Sequence, residues 1–171
     1  MRGLKDKVAI VTGGGQGIGR GIALRLAEEG CKVALFDMNP DAGAETEALA
    51  GDAVVKTYTV DVTDYDAIKA AVDAVEADLG PIWTLVNNAG WDLPKNFLQT
   101  DRPLWDKIIA INLYGPLNTH HVVAPLMVSR GGGRIINIAS DAGPLRDYLE
   151  PAASMLDPFQ LENMRCRWRK W

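Results

Sequence analysis

The sequence predicts an α/β fold built on a parallel sheet with helices on both faces. Three observations carry this. Short β-branched runs alternate with longer helical stretches, the strands are apolar along their whole length, and the first strand runs straight into a glycine-rich turn and a helix. Continuously apolar strands joined by helical crossovers mark a sheet buried on both faces.

The elements follow in order. Residues 7–12 (KVAIVT) read as a first strand and 17–30 as a helix ending at Gly30. Residues 32–36 (KVALF) form a second strand, and the Ala- and Glu-rich stretch 41–50 a second helix. Residues 54–59 are a third strand, and Asp64 is placed to cap a helix over 65–79 that Gly80-Pro81 stops. Residues 82–86 are a fourth strand. Residues 104–129 form a long helical stretch that Pro116 and Pro125 are expected to break or kink. After the turn Gly131-Gly132-Gly133, residues 134–139 (RIINIA) supply a fifth strand. Right-handed crossovers leave few topologies for such an order. The best is a three-layer, Rossmann-like, doubly wound parallel sheet with its five strands in the order 3-2-1-4-5.

Composition narrows the function. The chain has 171 residues, enough for one domain with a real core, and carries a net charge of −4, which argues against a nucleic-acid-binding domain. Two cysteines, Cys31 and Cys166, cannot build a disulfide framework, so a reducing, cytoplasmic setting is expected. No run of 18 or more apolar residues is present, and the polar start at residues 1–7 does not read as a signal peptide, so no membrane partner is expected. His120 and His121 are adjacent and point to different helix faces, and no metal site is expected.

The strand–helix pattern stops after Gly143. Residues 144–171 hold three prolines, no convincing strand and one short helix candidate at 159–164. They read as an atypical, poorly structured tail on a domain spanning 1–143. The basic, aromatic end Arg165-Cys166-Arg167-Trp168-Arg169-Lys170-Trp171 reads as solvated on a net acidic domain.

The chemistry starts at Thr12-Gly13-Gly14-Gly15-Gln16-Gly17-Ile18-Gly19. Six glycines fall within residues 13–21, directly after a buried strand. Glycines let the backbone approach a pyrophosphate, and the helix that follows offers unpaired N–H groups and a partial positive charge. The spacing is T-G-x-x-x-G-x-G rather than G-x-G-x-x-G. The second strand ends at Asp37, 18 residues beyond Gly19, where a carboxylate can accept from both ribose hydroxyls of an adenosine and repel a 2′-phosphate. No Lys or Arg lies within residues 13–19 or just after Asp37, so NAD is favoured over NADP. The other reading of Asp37 is a turn or helix-capping residue before Asn39-Pro40. Asp61-Val62 follow the third strand, where the Asp61 carboxylate can meet an adenine amino group or merely form a turn. Asn87-Asn88-Ala89-Gly90 follow the fourth strand, beside the glycine turn if strands 1 and 4 are neighbours. The amides can brace that turn, and Ala89-Gly90 leave room for a sugar.

Together these segments resemble the short-chain dehydrogenase/reductase family. TGGGQGIG at 12–19 resembles its phosphate-binding motif, and Asp61-Val62 and NNAG at 87–90 resemble its next two markers. Asn112 in IIAINLYG resembles its helix asparagine, and Ser140 in GRIINIAS its catalytic serine. The resemblance implies an NAD(P)-binding domain over 1–143 and hydride transfer between a nicotinamide and a secondary alcohol or ketone. It implies cofactor contacts from Gly13, Gly15, Gln16, Gly17, Ile18, Gly19, Asp37, Asp61, Val62, Asn88, Ala89 and Gly90. It implies catalytic roles for Ser140, which bonds the substrate oxygen, and Asn112, which holds a water in a proton relay. Residues 91–143 are further similar to dehydrogenases of alicyclic 2-hydroxyacyl-CoA thioesters, such as 2-hydroxycyclohexanecarboxyl-CoA, and more loosely to 3-oxoacyl-thioester reductases. An acyl-CoA is therefore one expected substrate, and a homo-oligomer is compatible with the resemblance.

One pair departs from the family pattern. Its reaction uses a tyrosine to move the hydroxyl proton and a lysine four residues later to lower that tyrosine's pKa. Tyr148 is the only tyrosine after Ser140, Ala152 stands four residues on, and no lysine occurs between Lys107 and Lys170. A free phenol titrates near pH ~10 and is a poor base near neutrality. The pattern reads as a family member truncated or altered near residue 143, with a non-catalytic dinucleotide-binding or interaction protein as the alternative function.

Overall fold

In a computed structural model that describes residues 3–139, five parallel strands form one sheet in the order β3-β2-β1-β4-β5. The strands are β1 (Val8–Thr12), β2 (Lys32–Asp37), β3 (Val55–Thr59), β4 (Ile82–Asn87) and β5 (Arg134–Asn137). The helices are α1 (Gly17–Glu28), α2 (Pro40–Leu49), α3 (Tyr65–Asp78), α4 (Arg102–Ile109) and α5 (Gly115–Ser129). This is the predicted doubly wound architecture. The readings that fall on residues 140–171, Ser140 and Tyr148 among them, lie outside the described residues.

Successive side chains of a strand point to opposite faces, so each central strand feeds two cores. Val8 and Ile10 of β1, Ala34 and Phe36 of β2 and Leu85 of β4 pack with Ile68, Val72 and Val75 of α3 and with Val123 and Met127 of α5. On the opposite face Val11, Val33, Leu35 and Val86 pack with Ala23 and Ala27 of α1. Strands covered on both sides are apolar throughout, which is the signal visible in the sequence.

The helix ends follow local chemistry. Asp64 caps α3 by accepting from Ala67 N at 2.9 Å, and Gly80 takes φ +104° just after that helix. Asn39 caps α2 by accepting from Asp41 N and Ala42 N, with Pro40 in the first turn, where its missing N–H costs nothing.

The helical stretch expected over 104–129 is α4, a five-residue π-turn (Ala110–Tyr114) and α5, with the interruption just ahead of Pro116. Pro116 has no N–H for the carbonyl four residues back at position 112, so the chain widens by one turn ahead of it. Pro125, by contrast, does not interrupt α5, which continues to Ser129. It is exposed, whereas Thr119, Val123 and Met127 bury the other side of the helix and hold it on the sheet. The fifth strand ends at Asn137 rather than at 139, although Ile138 N still donates to Asn87 O at 2.8 Å. Among the described residues β5 pairs only with β4, and Ile136 and Ile138 remain exposed.

Glu76 of α3 joins three elements. It accepts from Ile82 N at the start of β4 and pairs with Arg130 after α5. The Arg130 guanidinium, helped by the Ile82 amide, holds its carboxyl below the usual range despite partial burial. A depressed folded-state pKa stabilises the fold above the unfolded value of about 4.3, and the gain disappears as pH falls through the folded value. Glu76→Gln is therefore expected to lower the urea midpoint at pH 7, with the difference from the parent shrinking as the pH is taken down below the ordinary carboxylate range. A gap that persists or widens at low pH would contradict this.

Candidate functional site

The site forms where the carboxyl ends of β1, β2 and β4 meet. Gly13 N donates to Phe36 O at 2.7 Å, which turns the chain off β1 across the tip of β2. A Cβ on Gly13 would lie 3.0 Å from Ala89 Cα, one on Gly14 2.7 Å from Leu35 Cδ2, and one on Gly15 2.8 Å from Asp37 Oδ2. A Cβ on Gly19 would overlap the Gly13 carbonyl oxygen. The turn is thus boxed in by β2, by residues 88–89 and by its own helix, and the demand for glycine is firmest at Gly19, which faces a backbone oxygen, and at Gly13, which also takes φ +63°. Gly17 differs: at φ +54° it faces open space, and a Cβ there would meet no atom within 4 Å.

That open side is the start of α1. Gln16 provides no side-chain cap, and the first turn holds no acidic residue. Asn39, Asp64 and Asp101 cap α2, α3 and α4 respectively. The leading N–H groups of α1 therefore point at an uncovered surface beside exposed Ile18. A helix start carries about half a positive elementary charge, so the site suits an anion.

A hydrogen-bond lattice fixes β4 against the turn. The buried Thr12 hydroxyl accepts from Asn88 N at 3.0 Å and Ala89 N at 2.9 Å. Asn88 Nδ2 donates to Thr12 O at 3.1 Å and to Gly13 O at 3.3 Å. The predicted bracing role of the amide is what the geometry displays. Asn87 serves the sheet instead: its Oδ1 accepts from Thr119 at 2.7 Å and its Nδ2 donates to Asn137 Oδ1 at 3.0 Å.

Asp37 stands beside the turn. Its Oδ2 accepts from Gly15 N at 2.8 Å and its Oδ1 from Asn39 N at 2.9 Å. The second bond is the turn role weighed in the sequence, and the first joins the carboxylate to the glycine loop. Sequence reasoning missed what holds the other side of Gly15. Arg20 donates to Gly15 O at 2.6 and 2.9 Å, and buried Thr46 donates to the same oxygen at 3.1 Å. Arg20 also pairs with Glu45 at 2.8 Å. Arg20 lies one residue past the glycine motif and Thr46 inside a helix, so nothing in their local pattern signals this shared target.

The remaining candidates divide. Asp61 Oδ1 accepts from both the amide and the hydroxyl of Thr63 at 2.8 Å, which is the turn reading. Val62 is buried against Gly115, and its carbonyl accepts from Asn118 Nδ2 at 3.1 Å. Asn112 sits in the π-turn with both ends of its amide on one residue: Oδ1 accepts from Trp91 N at 2.9 Å and Nδ2 donates to Trp91 O at 2.7 Å. A Cβ on Gly90 would lie 3.0 Å from Asn112 Oδ1, so these two positions meet. His120 turns to Pro116 O and His121 to the Tyr65 hydroxyl, so the adjacent histidines serve different contacts. Among the described residues no group of three or more His, Cys, Asp or Glu could hold a metal, and no helix is long and apolar enough to cross a membrane.

Residues 7–152 match the short chain dehydrogenase family. The match runs past residue 143 into the segment that the sequence sets apart as a tail. The chain is 43% identical over 147 residues to Nodulation protein G of Azospirillum brasilense, covering 82% of this chain and 58% of that protein. It is 43% identical over 138 residues to an acetoacetyl-CoA reductase of Paracoccus denitrificans, covering 80% and 56%. A crystal structure of NAD+-bound xylitol dehydrogenase superposes with a TM-score of 0.79 at 36% identity, over 83% of this chain and 56% of that one. The chain thus spans somewhat over half the length of these relatives.

Replacing Thr12 by Val keeps the shape and leaves the amides of Asn88 and Ala89 without their acceptor. Thr12→Val is expected to lower stability by about 1–3 kcal/mol in chemical denaturation. An effect below ~0.5 kcal/mol would show that the lattice does not hold β4 to the turn.

Proposed function

The chain belongs to the short-chain dehydrogenase family, whose members bind NAD(P), and from that premise we propose that it is an NAD-preferring oxidoreductase acting on a hydroxyacyl- or ketoacyl-thioester. The observation that carries the cofactor reading is the uncapped start of α1 opening beside Asp37. The residues present fit a dinucleotide: the glycine positions leave no room for side chains, Gly17 faces open space, and the leading amides have no internal acceptor. When bound, the nicotinamide supplies a carbon that gives or takes a hydride.

The chain's own residues would divide the work as follows. The amides around Gln16, Gly17 and Ile18 hold the pyrophosphate. Gly13, Gly15 and Gly19 keep the backbone close, and Asn88 with Ala89 and Gly90 fixes the floor under the sugar. Asp37 accepts from the adenosine ribose and disfavours a 2′-phosphate by charge. Asp61 and Val62 border the adenine side. Asn112, through Trp91, shapes the wall beside Gly90, and Ser140 would bond the substrate oxygen. Residues 1–143 form the cofactor domain in this account. The thioester assignment draws on the name of the Paracoccus relative together with the similarity over 91–143. The substrate is a small molecule, and the expected compartment is the cytoplasm.

One observation favours a second reading, a dinucleotide-binding protein without turnover: Tyr148 lacks a lysine four residues on. With no cation to lower its pKa, a phenol is a weak proton acceptor at neutral pH. Titration calorimetry and an acetoacetyl-CoA-linked NADH assay separate the readings. NAD+ binding is expected in either case, weakened at least about tenfold by Gly19→Ala, whose methyl overlaps the Gly13 carbonyl. Turnover above the Gly19→Ala background supports the oxidoreductase, binding without turnover supports the second reading, and a folded sample giving no heat with NAD+ defeats both.

A further inference from the structure

The carboxylate of Asp37 is not the only charge beside the proposed ribose site. Gly15 is held from both sides, its amide by Asp37 and its carbonyl by the guanidinium of Arg20. Arg20 is therefore a cation one peptide unit away from the acid that reads the ribose. Left alone, it would partly cancel the repulsion that Asp37 exerts on a 2′-phosphate and would offer that phosphate a planar donor group. It is not left alone. Glu45, on the outer side of α2, pairs with Arg20 Nη2 at 2.8 Å, and Thr46 on the same turn bonds Arg20 Nε at 3.1 Å. The single Thr46 hydroxyl proton lies within reach of the carbonyls of Gly14, Gly15 and Ala42, and the same oxygen accepts from Arg20 Nε, so the guanidinium is set in a fixed frame.

We infer that Glu45 is a specificity-determining residue: by neutralising Arg20 it keeps that cation from serving a 2′-phosphate, and so shares with Asp37 the discrimination between NAD and NADP. The local charge makes the argument. Asp37, Arg20 and Glu45 sum to one negative charge, and removing the charge of Glu45 brings the sum to zero. The guanidinium keeps its bonds to Gly15 O, so the turn itself is not disturbed. The Arg20–Glu45 pair is a solvent-facing one, with the Glu45 side chain 68% exposed, and such pairs contribute little to stability. Neutralising Glu45 therefore changes the charge near the ribose without unfolding the loop. Asp41, in the first turn of α2, is the remaining acid on that element's near end and is unaffected.

The inference rests on the reading of Asp37 as the ribose-side acceptor, and its test separates the two. Titration calorimetry on the full chain measures NAD+, NADP+, 5′-AMP and adenosine 2′,5′-bisphosphate against the parent, Glu45→Gln, Arg20→Gln and the double variant. In Glu45→Gln the affinity for NADP+ relative to NAD+ is expected to rise about threefold to tenfold, and the bisphosphate to gain on 5′-AMP by the same factor. The gain is expected to shrink as salt is raised from about 0.05 to 0.5 M, and to vanish when Arg20 is Gln. Arg20→Lys replaces Arg20→Gln if the latter does not fold; its ammonium lacks the planar fork, so the gain should fall at least by half. A parent that binds NAD+ with an unchanged nucleotide ratio in Glu45→Gln, or a gain that persists without Arg20, overturns the role of Glu45. A parent that binds none of the four nucleotides overturns the cofactor reading instead.

Discussion

The hydrogen bond from Gly15 N to Asp37 Oδ2 ties the two halves of the site together. It brings the loop after β1 to the tip of β2, and the opposite edge of the same residue is secured by Arg20 and Thr46. With Gly15 fixed, the following residues leave the loop as a helix whose first amides have no internal partner. An anion bound there would lie next to a carboxylate, which is how the proposed function would join attraction for a diphosphate to selection at the sugar. On the other flank, the Thr12–Asn88 lattice joins β4 to the same loop. Each bond acts on main-chain atoms, which explains why glycines dominate the region: the loop is positioned by what it cannot accommodate.

Much of this was legible in the sequence. The strand order followed from apolar runs with helical crossovers, and β1, β2 and β4 are indeed covered on both faces, whereas β5 leaves Ile136 exposed. The glycine turn, Asp37 and Asn88 could be placed because each directly follows a strand, and a doubly wound sheet gathers such positions at one end. Other features were not legible because they depend on tertiary partners. Arg20 and Thr46 act on Gly15 from separate helices, and neither residue type signals that target. The π-turn arises from Pro116 meeting a helix already committed by α4, and from Asn112 being clamped onto Trp91. Pro125 shows the converse: a residue that ought to break a helix is tolerated where burial on the far side holds the helix in place.

Asn112 and Asp61 show how resemblance and geometry divide. The family likeness gives the first a relay role and the second an adenine contact. In the structure both amide atoms of Asn112 lie on the Trp91 backbone, and one oxygen of Asp61 is engaged by Thr63. These bonds hold the turn after β3 and tie the segment after β4 to the π-turn. The family's tyrosine–lysine pair remains the point at which binding and catalysis part company. The glycine turn, the start of α1 and Asp37, to which the proposed function gives the adenosine and pyrophosphate contacts, all lie within the described residues, whereas proton transfer needs a tuned phenol.

The most direct measurement is a two-dimensional NMR titration of the isotope-labelled chain with ADP. The account predicts that the amide resonances of Gly15, Gln16, Gly17 and Ile18 move first and furthest, followed by those near Asp37. Shifts confined to the sheet edge at β5, or an unperturbed glycine turn while ADP binds elsewhere, would contradict it.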